Sequence, residues 1–215
     1  MELQMQGCPC CWNKRLFAWL LSTGNASYEK LVCDRKRNLF GNLHGDVLEI
    51  GPGTGANFPY YPKDMRWIGI EPNPYMHPYL QKEAEKVGLN NVDVRTISAE
   101  RLEAEDNSVD AVVSTLVLCS VPDLKATLQE ILRVLKPGGR FLFIEHVAAP
   151  KGTWLRRVQE GVRPVWKFLA DGCEPARETW IALENAGFEH LDYEKFEPSI
   201  PIVTPHISGV GIKKC

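Results

Sequence analysis

Three glycines at alternate positions, Gly51, Gly53 and Gly55, are the residues best suited to hold a ligand against the backbone. They follow directly on a short apolar run that ends at Ile50. Because glycine has no side chain, the chain can turn tightly there and pass closely under a bound molecule. The same glycines are compatible with a tight turn that binds nothing, so the motif needs a second element beside it.

A carboxylate, Glu71, comes directly after the next apolar run, Trp67 to Ile70. Ligands of open α/β sheets bind outside the carboxyl ends of the strands, and a carboxylate there can accept hydrogen bonds from both hydroxyls of a ribose. The alternative role, capping the helix that follows, fits Asn73 better than Glu71. The glycine spacing is GxGxG and not the GxGxxG of dinucleotide-binding folds, which disfavours a nicotinamide-dependent reductase.

Strands and helices alternate along the chain from about residue 46. The strand candidates are almost unbroken apolar runs, which is typical of a parallel sheet covered by helices on both faces. Only a proline-rich loop separates the last two strands, so we expect them to pair antiparallel. The predicted strands are 47–50, 67–70, 92–97, 109–114, 140–145, 190–196 and 207–213, and the predicted helices between them are 74–87, 123–135, 153–170 and 174–185.

Composition and charge exclude several classes of protein. The 25 Lys and Arg residues nearly balance the 27 Asp and Glu residues, whereas a general nucleic-acid binder usually carries a basic excess. No apolar run approaches the roughly 18 residues of a membrane span. The 7 cysteines are an odd number, which favours a reducing compartment, so we expect a cytoplasmic protein. The cysteines at positions 8, 10 and 11 lack a second Cys/His pair at zinc-finger distance, and no metal site is predicted.

Further motifs follow the glycine turn and Glu71 in a fixed order. Ser98-Ala99-Glu100 follows the third strand, Thr115 to Val121 follows the fourth, and Leu135 to Gly139 precedes the fifth. Over roughly residues 45–215 the chain therefore resembles the class I S-adenosylmethionine (SAM)-dependent methyltransferases. The resemblance implies SAM as cofactor and an α/β, Rossmann-like class I methyltransferase fold. That fold has a mostly parallel seven-stranded sheet with an antiparallel last strand and helices on both faces.

A narrower resemblance is to the methyltransferase-like alkyl thiol S-methyltransferases. It implies an enzyme that moves a methyl group from SAM to a small lipophilic acceptor, in the first place a thiol, with no nucleic acid and no obligatory protein partner. Two alternatives stay open: a C- or O-methyltransferase acting on a quinone or phenol, and a SAM-binding or lipid-associated protein without turnover. The segments that carry this resemblance are 53–58, 115–121, 145–147, 171–173, 177–180 and 205–207.

The resemblance also implies roles for individual residues in binding SAM. The glycines would pass under the methionine moiety, Asn57 would reach its carboxylate, and Glu71 would hold the ribose hydroxyls. Ala99, through its backbone N–H, and Glu100 would lie beside the adenine. The full implied set is Glu49, Gly51, Gly53, Gly55, Asn57, Glu71, Pro72, Ala99, Glu100, Thr115 and Leu116, of which the last two would line the methyl-donor pocket.

Methyl transfer from a sulfonium is an in-line displacement that needs alignment and a nucleophile with a free lone pair. A free thiol has a pKa of about 8.5, so a nearby imidazole that raises its thiolate fraction would help. His146 follows the fifth strand's carboxylate at the ligand-binding edge, and we expect it to act as base or orienter, or else to make a structural hydrogen bond. His206 is the second candidate. Asp171 is expected to orient a histidine or to cap a helix.

Two segments are expected to cover the site. The first is the N-terminal cover, residues 1–44, which reads as helical and precedes a methyltransferase domain over residues 45–215. The second is the inserted cover, the amphipathic helix expected at about 153–170 within that domain. Trp154 and Trp166 of the inserted cover, and Trp12, Trp19 and Tyr28 of the N-terminal cover, would either close over ligands or pack on the domain. Either cover would also permit peripheral membrane contact.

Overall fold

This computed structural model describes residues 9–24, 26–89 and 92–215. Two helices, α1 (Pro9–Gly24) and α2 (Ala26–Phe40), precede the sheet. The remaining helices connect strands and are α3 (His77–Val87), α4 (Leu124–Val134), α5 (Trp154–Leu169) and α6 (Thr179–Glu184). Within the described parts of the chain, no helix is both long and apolar enough to cross a bilayer.

One seven-stranded sheet forms the centre of the molecule, in the order β3-β2-β1-β4-β5-β7-β6. Strands β1 to β5 pair in parallel, and β7 runs antiparallel to both of its neighbours, β5 and β6. This confirms the predicted fold class and the antiparallel pairing at the end of the chain. The strands are β1 (Asp46–Ile50), β2 (Arg66–Ile70), β3 (Val92–Arg95), β4 (Val109–Thr115), β5 (Leu135–His146), β6 (His190–Phe196) and β7 (His206–Ile212).

Alternate side chains of the central strands belong to two separate hydrophobic clusters, one on each face of the sheet. Leu48 and Val112 pack in the cluster that contains Leu128 of α4. Val47 and Val113 pack in the cluster that also takes in α2 and α3. Because successive strand residues point to opposite faces, a strand covered on both sides must be apolar throughout. That requirement explains why the unbroken apolar runs predicted these strands.

The sheet order also fixes where a ligand can bind. From β1 the chain moves to β2 on one side, and β4 later pairs with β1 on the other side. This reversal is a topological switch point, and it opens a crevice at the carboxyl ends of β1 and β4. The glycine turn lies there: Gly51 has a φ of +58°, and a Cβ on it would lie 2.4 Å from a methyl group of Val117.

Two elements differ most from the sequence prediction; in addition, α3 begins at His77 rather than 74, and β3 ends at Arg95 rather than 97. Strand β5 begins at Leu135 rather than 140, because Leu135 already pairs with Val109 before a register shift in the ladder. Helix α6 begins at Thr179 rather than 174, because Glu174 lies in the preceding loop and makes its contacts there. Its backbone N–H donates to the carbonyl of Cys119, and its carboxylate pairs with cations of α5.

Candidate active site

A cavity of about 310 Å³ lies at the carboxyl ends of β1, β2, β4 and β5. Its walls come from the glycine turn, the chain after β2, the turn after β4, His146 at the end of β5, and both covers. The volume lies at the lower end of the range of about 300–1,000 Å³ for small-molecule sites. A cavity is therefore present at the sheet edge where the sequence predicts a site.

The glycine turn can accept a ligand directly against its backbone. The φ angles of Gly51, Gly53 and Gly55 are +58°, +56° and +85°. Residues other than glycine rarely adopt this region. Gly51 and Gly53 line the cavity. A Cβ on Gly53 would meet no atom of the described chain within 4 Å, so the space above this peptide is open to a ligand.

Glu71 lies beside this turn with both carboxylate oxygens oriented by backbone amides. The N–H of Gly53 donates to Oε2 at 3.0 Å, and the N–H of Asn73 donates to Oε1 at 2.8 Å. Glu71 is buried, and burial raises the pKa of its carboxyl to about 7. Each oxygen keeps a further lone pair, so the carboxylate fits two hydroxyl donors such as those of a ribose. Pro72 lines the cavity next to it.

Glu49 and Asn57 form a buried hydrogen-bonded pair under the turn. Glu49 accepts from Nδ2 of Asn57 at 2.7 Å, from Tyr61 at 2.8 Å and from Trp67 at 3.0 Å. Asn57 Nδ2 also donates to Oγ1 of Thr115 at 3.0 Å, so both amide N–H groups of Asn57 are in use. Oδ1 of Asn57 is buried and has no partner among the described residues. The atom that Asn57 can offer a ligand is thus an acceptor, which suits an ammonium rather than the carboxylate expected from the sequence.

Lys36 is a cavity residue that the sequence reasoning missed. Its charge suggests an exposed position, but its side chain is fully buried and lines the cavity. Nζ donates to Oε1 of Glu29 at 2.7 Å and to the carbonyl of Ala56 at 3.4 Å. Burial lowers the pKa of Lys36. Its spacing could have predicted this burial, because Val32, Lys36 and Phe40 share one buried stripe of α2.

Ala99 and Glu100 are not among the cavity-lining residues of the described chain. Ser98 and the backbone N–H of Asp123 donate to the carboxylate of Glu100, which ties the chain after β3 to the start of α4. The place of Ala99 and Glu100 beside the adenine stays a prediction.

The turn after β4 is held by a buried carboxylate. Glu145 accepts from Ser114 at 2.5 Å and from the backbone N–H groups of Val117 and Leu118 at 3.2 and 3.1 Å. Burial raises the pKa of Glu145 to about 7. At the start of this turn Leu116 has a φ of +58°, a conformation that costs of order 1–3 kcal/mol for a residue with a side chain. Thr115 and Leu116 both line the cavity, and their place at the methyl donor stays a prediction.

His146 contacts sulfur at the inner end of the cavity. Its Nε2 lies 3.0 Å from Sγ of Cys173, and the Trp166 indole N–H donates to the same sulfur at 3.3 Å. The sulfur atoms of Cys119 and Cys173 and a ring nitrogen of His146 lie within 4.8 Å of one another. Burial works to lower the pKa of His146, but its interactions with Cys119 and Glu145 outweigh burial, and the net pKa is raised.

The pKa values of the two cysteines of this cluster are shifted in opposite directions. Interaction with the neighbouring Cys119 thiol lowers the pKa of Cys173 despite burial, and the Trp166 N–H acts in the same direction. Interaction with Cys173, together with burial, raises the pKa of Cys119 well above its ordinary value. Sequence reasoning named His146 but gave neither cysteine a role, because the three residues follow different elements of the fold.

The other two catalytic candidates make no hydrogen bond to this cluster within the described chain, although the His206 ring packs edge-on against the His146 ring at a centroid distance of 6.2 Å. His206 does not line the cavity: its Nδ1 lies 3.0 Å from the carbonyl of Thr204, and burial lowers its pKa to about 4. Asp171 lines the cavity, but it accepts from Nδ2 of Asn73 at 3.2 Å and bonds no histidine of the described chain. The alternative role of Asp171 as a helix cap is also not observed, because α6 begins after Glu178.

The covers reach the cavity through fewer aromatic residues than expected. Trp166 of the inserted cover and Tyr28 of the N-terminal cover line it. Trp154, Trp12 and Trp19 point away, with 77%, 68% and 53% of their surface exposed. Phe17 and Leu21, one helical turn apart on α1, supply the apolar wall instead.

Comparison with known proteins places this geometry among methyltransferases. Residues 48–143 match the family model described as a methyltransferase domain. Thiol S-methyltransferase TMT1A of Homo sapiens is 40% identical over 212 residues, which cover 93% of this chain and 87% of that protein. Thiol S-methyltransferase TMT1B of Homo sapiens is 38% identical over 228 residues, covering 99% and 93%. A structure of a Haloferax volcanii methyltransferase complex with the activator Trm112 has a TM-score of 0.73 at 17% identity, covering 94% of this chain and 98% of that one, which shows the shared fold.

Proposed function

The chain belongs to the thiol S-methyltransferase family of SAM-dependent methyltransferases, and on that premise we propose that it transfers the SAM methyl group to the sulfur of a small lipophilic thiol. The observation that carries the choice of acceptor is the His146–Cys173 contact, at 3.0 Å, in the wall of the same cavity as Gly53 and Glu71. When bound, SAM would supply an electrophilic methyl group. A thiolate would attack its carbon in line, so that a new C–S bond forms as the bond from the methyl group to the sulfonium sulfur breaks and S-adenosylhomocysteine leaves.

Four residues of the cavity are proposed to hold SAM. Glu71 would accept from the ribose hydroxyls, and Gly53 would leave the space that the methionine moiety needs. Oδ1 of Asn57 would accept from the methionine ammonium. Nζ of Lys36 has one N–H left beyond its two protein partners and would donate it to the methionine carboxylate.

The acceptor would enter between the two covers. Phe17 and Leu21 on one side and Trp166 on the other give this end of the cavity an apolar lining. Apolar walls favour a thiol with a hydrocarbon substituent, because burying that substituent contributes roughly 25 cal/mol per Å². The acceptor's sulfur would then lie beside Cys119, His146 and Cys173.

The His146–Cys173 pair is proposed to take the acceptor's proton. At rest the pair shares one proton between Nε2 and Sγ. Receiving a second proton gives an imidazolium next to a neutral thiol, with the incoming proton on Sγ of Cys173. Cys173 is the more accessible of the cluster's two sulfurs, with 8% of its surface exposed against 1% for Cys119. His146 therefore acts as an orienter and shares in the base function.

The deciding experiment incubates the protein with methyl-labelled SAM and separate acceptors: hydrogen sulfide, alkyl thiols, phenols and quinols. We expect label on alkyl thiols and none on phenols. Label on a phenol or quinol carbon or oxygen would support the C- or O-methyltransferase alternative. SAM binding with no labelled product from any acceptor would support a binding protein without turnover.

We further propose a cytoplasmic location with peripheral membrane contact through α5. Val165, Phe168 and Leu169 are exposed there, at 62%, 61% and 59%, on a helix that also carries Lys167. Apolar side chains flanked by cations are typical of helices that lie in a membrane interface. Co-sedimentation with anionic phospholipid vesicles tests this: replacing Phe168 by Asp should abolish binding, and equal sedimentation of both forms would refute the contact.

A further inference from the structure

The methyl transfer leaves one feature of the site unused, a second thiol beside the first. We propose that Cys173 and Cys119 act as a dithiol pair that cleaves small lipophilic disulfides in the acceptor cavity, with Cys173 attacking the substrate and Cys119 resolving the product. The inference rests on the proposed function in one respect only: the thiol it releases is already at the methyl-acceptor site.

Hydrogen bonds to backbone carbonyls hold the two cysteine loops against each other. The N–H of Glu174, the residue after Cys173, donates to the carbonyl of Cys119 at 3.0 Å. Arg177 donates to the carbonyls of Leu118 and Val121 at 2.9 and 2.7 Å. These bonds join the turn after β4 to the loop after α5, so the two sulfurs stay close without any covalent link. The two Sγ atoms lie within 4.8 Å of each other, so a disulfide would form as the two sulfurs approach to about 2.05 Å.

The two thiols have different surroundings, as a reactive pair requires. Cys173 faces the imidazole of His146 and the indole N–H of Trp166, and both can stabilise a thiolate. Cys119 is more deeply buried, and its Sγ lies 3.5 Å from the carbonyl of Leu116, an acceptor that favours the protonated thiol. The more accessible and more acidic sulfur is the one that attacks, and the protected one attacks second.

The chemistry balances as two thiol–disulfide exchanges. Thiolate of Cys173 attacks one sulfur of R–S–S–R; a mixed disulfide forms, and the leaving thiolate takes the proton of the His146 imidazolium. Cys119 then loses its proton to neutral His146 as its sulfur attacks Sγ of Cys173, and the second thiolate leaves with that proton. The net reaction converts one disulfide to two thiols and oxidises the pair to a Cys119–Cys173 disulfide. An external small dithiol reduces the pair again and is itself oxidised to a disulfide.

The test uses dipropyl disulfide as probe, without SAM, and maps every cysteine by peptide mass. The Cys119–Cys173 pair should release two equivalents of propanethiol, beyond those released at exposed cysteines such as Cys215, and lose two hydrogens in a crosslink. Cys119→Ser should release one equivalent fewer and keep a propylthio group on Cys173. Cys173→Ser should release thiol at least about tenfold more slowly. Cys33→Ser, a change of a cysteine on α2 outside the cluster, is the matched control and should behave as the unaltered protein.

Three outcomes would overturn the inference. One is adduct formation on Cys119 before Cys173. Another is equal release by the Cys173→Ser form and the control. The third is a stoichiometric zinc ion in the purified protein that blocks both thiols, which metal analysis of the same samples would detect. Methyl transfer to propanethiol, measured separately under a reducing dithiol, shows whether the proposed function holds, so failure of one activity is distinguishable from failure of the other.

Discussion

The side-chain amide of Asn73 donates a hydrogen bond to the carboxylate of Asp171 at 3.2 Å and so joins the chain after β2 to the end of the inserted cover. The same nitrogen donates to the carbonyl of Lys14 on α1 at 3.1 Å. Asn73 also donates its backbone N–H to Glu71, the proposed ribose ligand. One residue thus links α1 and the chain after α5 to the carboxylate proposed to hold the ribose of SAM.

Replacing Glu71 by Ala should weaken SAM binding while the chain stays folded. The change removes two charge-assisted hydrogen bonds, each worth about 1.5–3 kcal/mol, so we expect at least a tenfold rise in the SAM Kd. Calorimetric titration measures it, and Glu85→Ala on the exposed side of α3 is the matched control. An unchanged Kd would remove Glu71 from the SAM site.

SAM affinity should depend on pH through Glu71. Burial raises the pKa of Glu71 to about 7, so the carboxyl is largely protonated at pH 6 and ionised at pH 8. Only the carboxylate accepts at both oxygens, so SAM binding should strengthen as pH rises through 7, by up to about tenfold between pH 6 and 8. The free energy of unfolding should change with pH in the opposite direction. The raised pKa of Glu71 contributes stability to the ligand-free protein below about pH 4, and this contribution is lost as pH rises through 7. Titrations of Glu71→Gln should show no such rise in affinity; a rise equal to that of the unaltered protein would assign the effect to another group.

The sequence predicted the sheet and the glycine turn because both depend on local patterns. Unbroken apolar runs indicated burial on two faces, and the φ of +56° at Gly53 favours a residue without a side chain. The cysteine cluster was not predictable in this way, because Cys119 and Cys173 meet only through hydrogen bonds between distant loops. Burial of Lys36 was missed because its charge suggested solvent, although its spacing on α2 matched buried neighbours.

Lys36→Met should lower SAM affinity, by at least about tenfold if one charge-assisted hydrogen bond to the methionine carboxylate is lost. It should also lower the free energy of unfolding, because Glu29 keeps its charge in a partly buried position without its partner. Calorimetry and thermal unfolding measure the two effects. Arg37→Met is the matched control, because its ion pair with Asp34 is exposed and such pairs contribute about 0–1 kcal/mol. Equal SAM affinities for both variants would place Lys36 outside the binding site.

Trp166→Ala should raise the KM for the acceptor thiol and leave the SAM Kd unchanged, because Trp166 lines the acceptor end of the cavity. Trp166→Phe keeps most of the apolar surface but removes the N–H that faces Cys173. Trp154→Ala, on the exposed side of the same helix, is the control and should change neither constant. If Trp166→Ala raised the SAM Kd and the acceptor KM together, the residue would serve packing rather than acceptor binding.

His146 gives the most informative test of the proton transfer. The His146–Cys173 pair can take the acceptor's proton only when it holds a single proton itself, so kcat/KM should rise with pH as the doubly protonated pair loses one. General-base help is typically worth about 10²–10⁴-fold, so His146→Ala should lose at least about a hundredfold at pH 7. It should recover much of that near pH 9, because free thiols ionise with a pKa of about 8.5.

His146→Gln keeps a hydrogen bond to Cys173 without the base, and activity restored at pH 7 would make His146 an orienter only. His190→Ala, an exposed histidine on β6, is the control. Rates for both His146 variants equal to that of the control would make the His146–Cys173 contact structural.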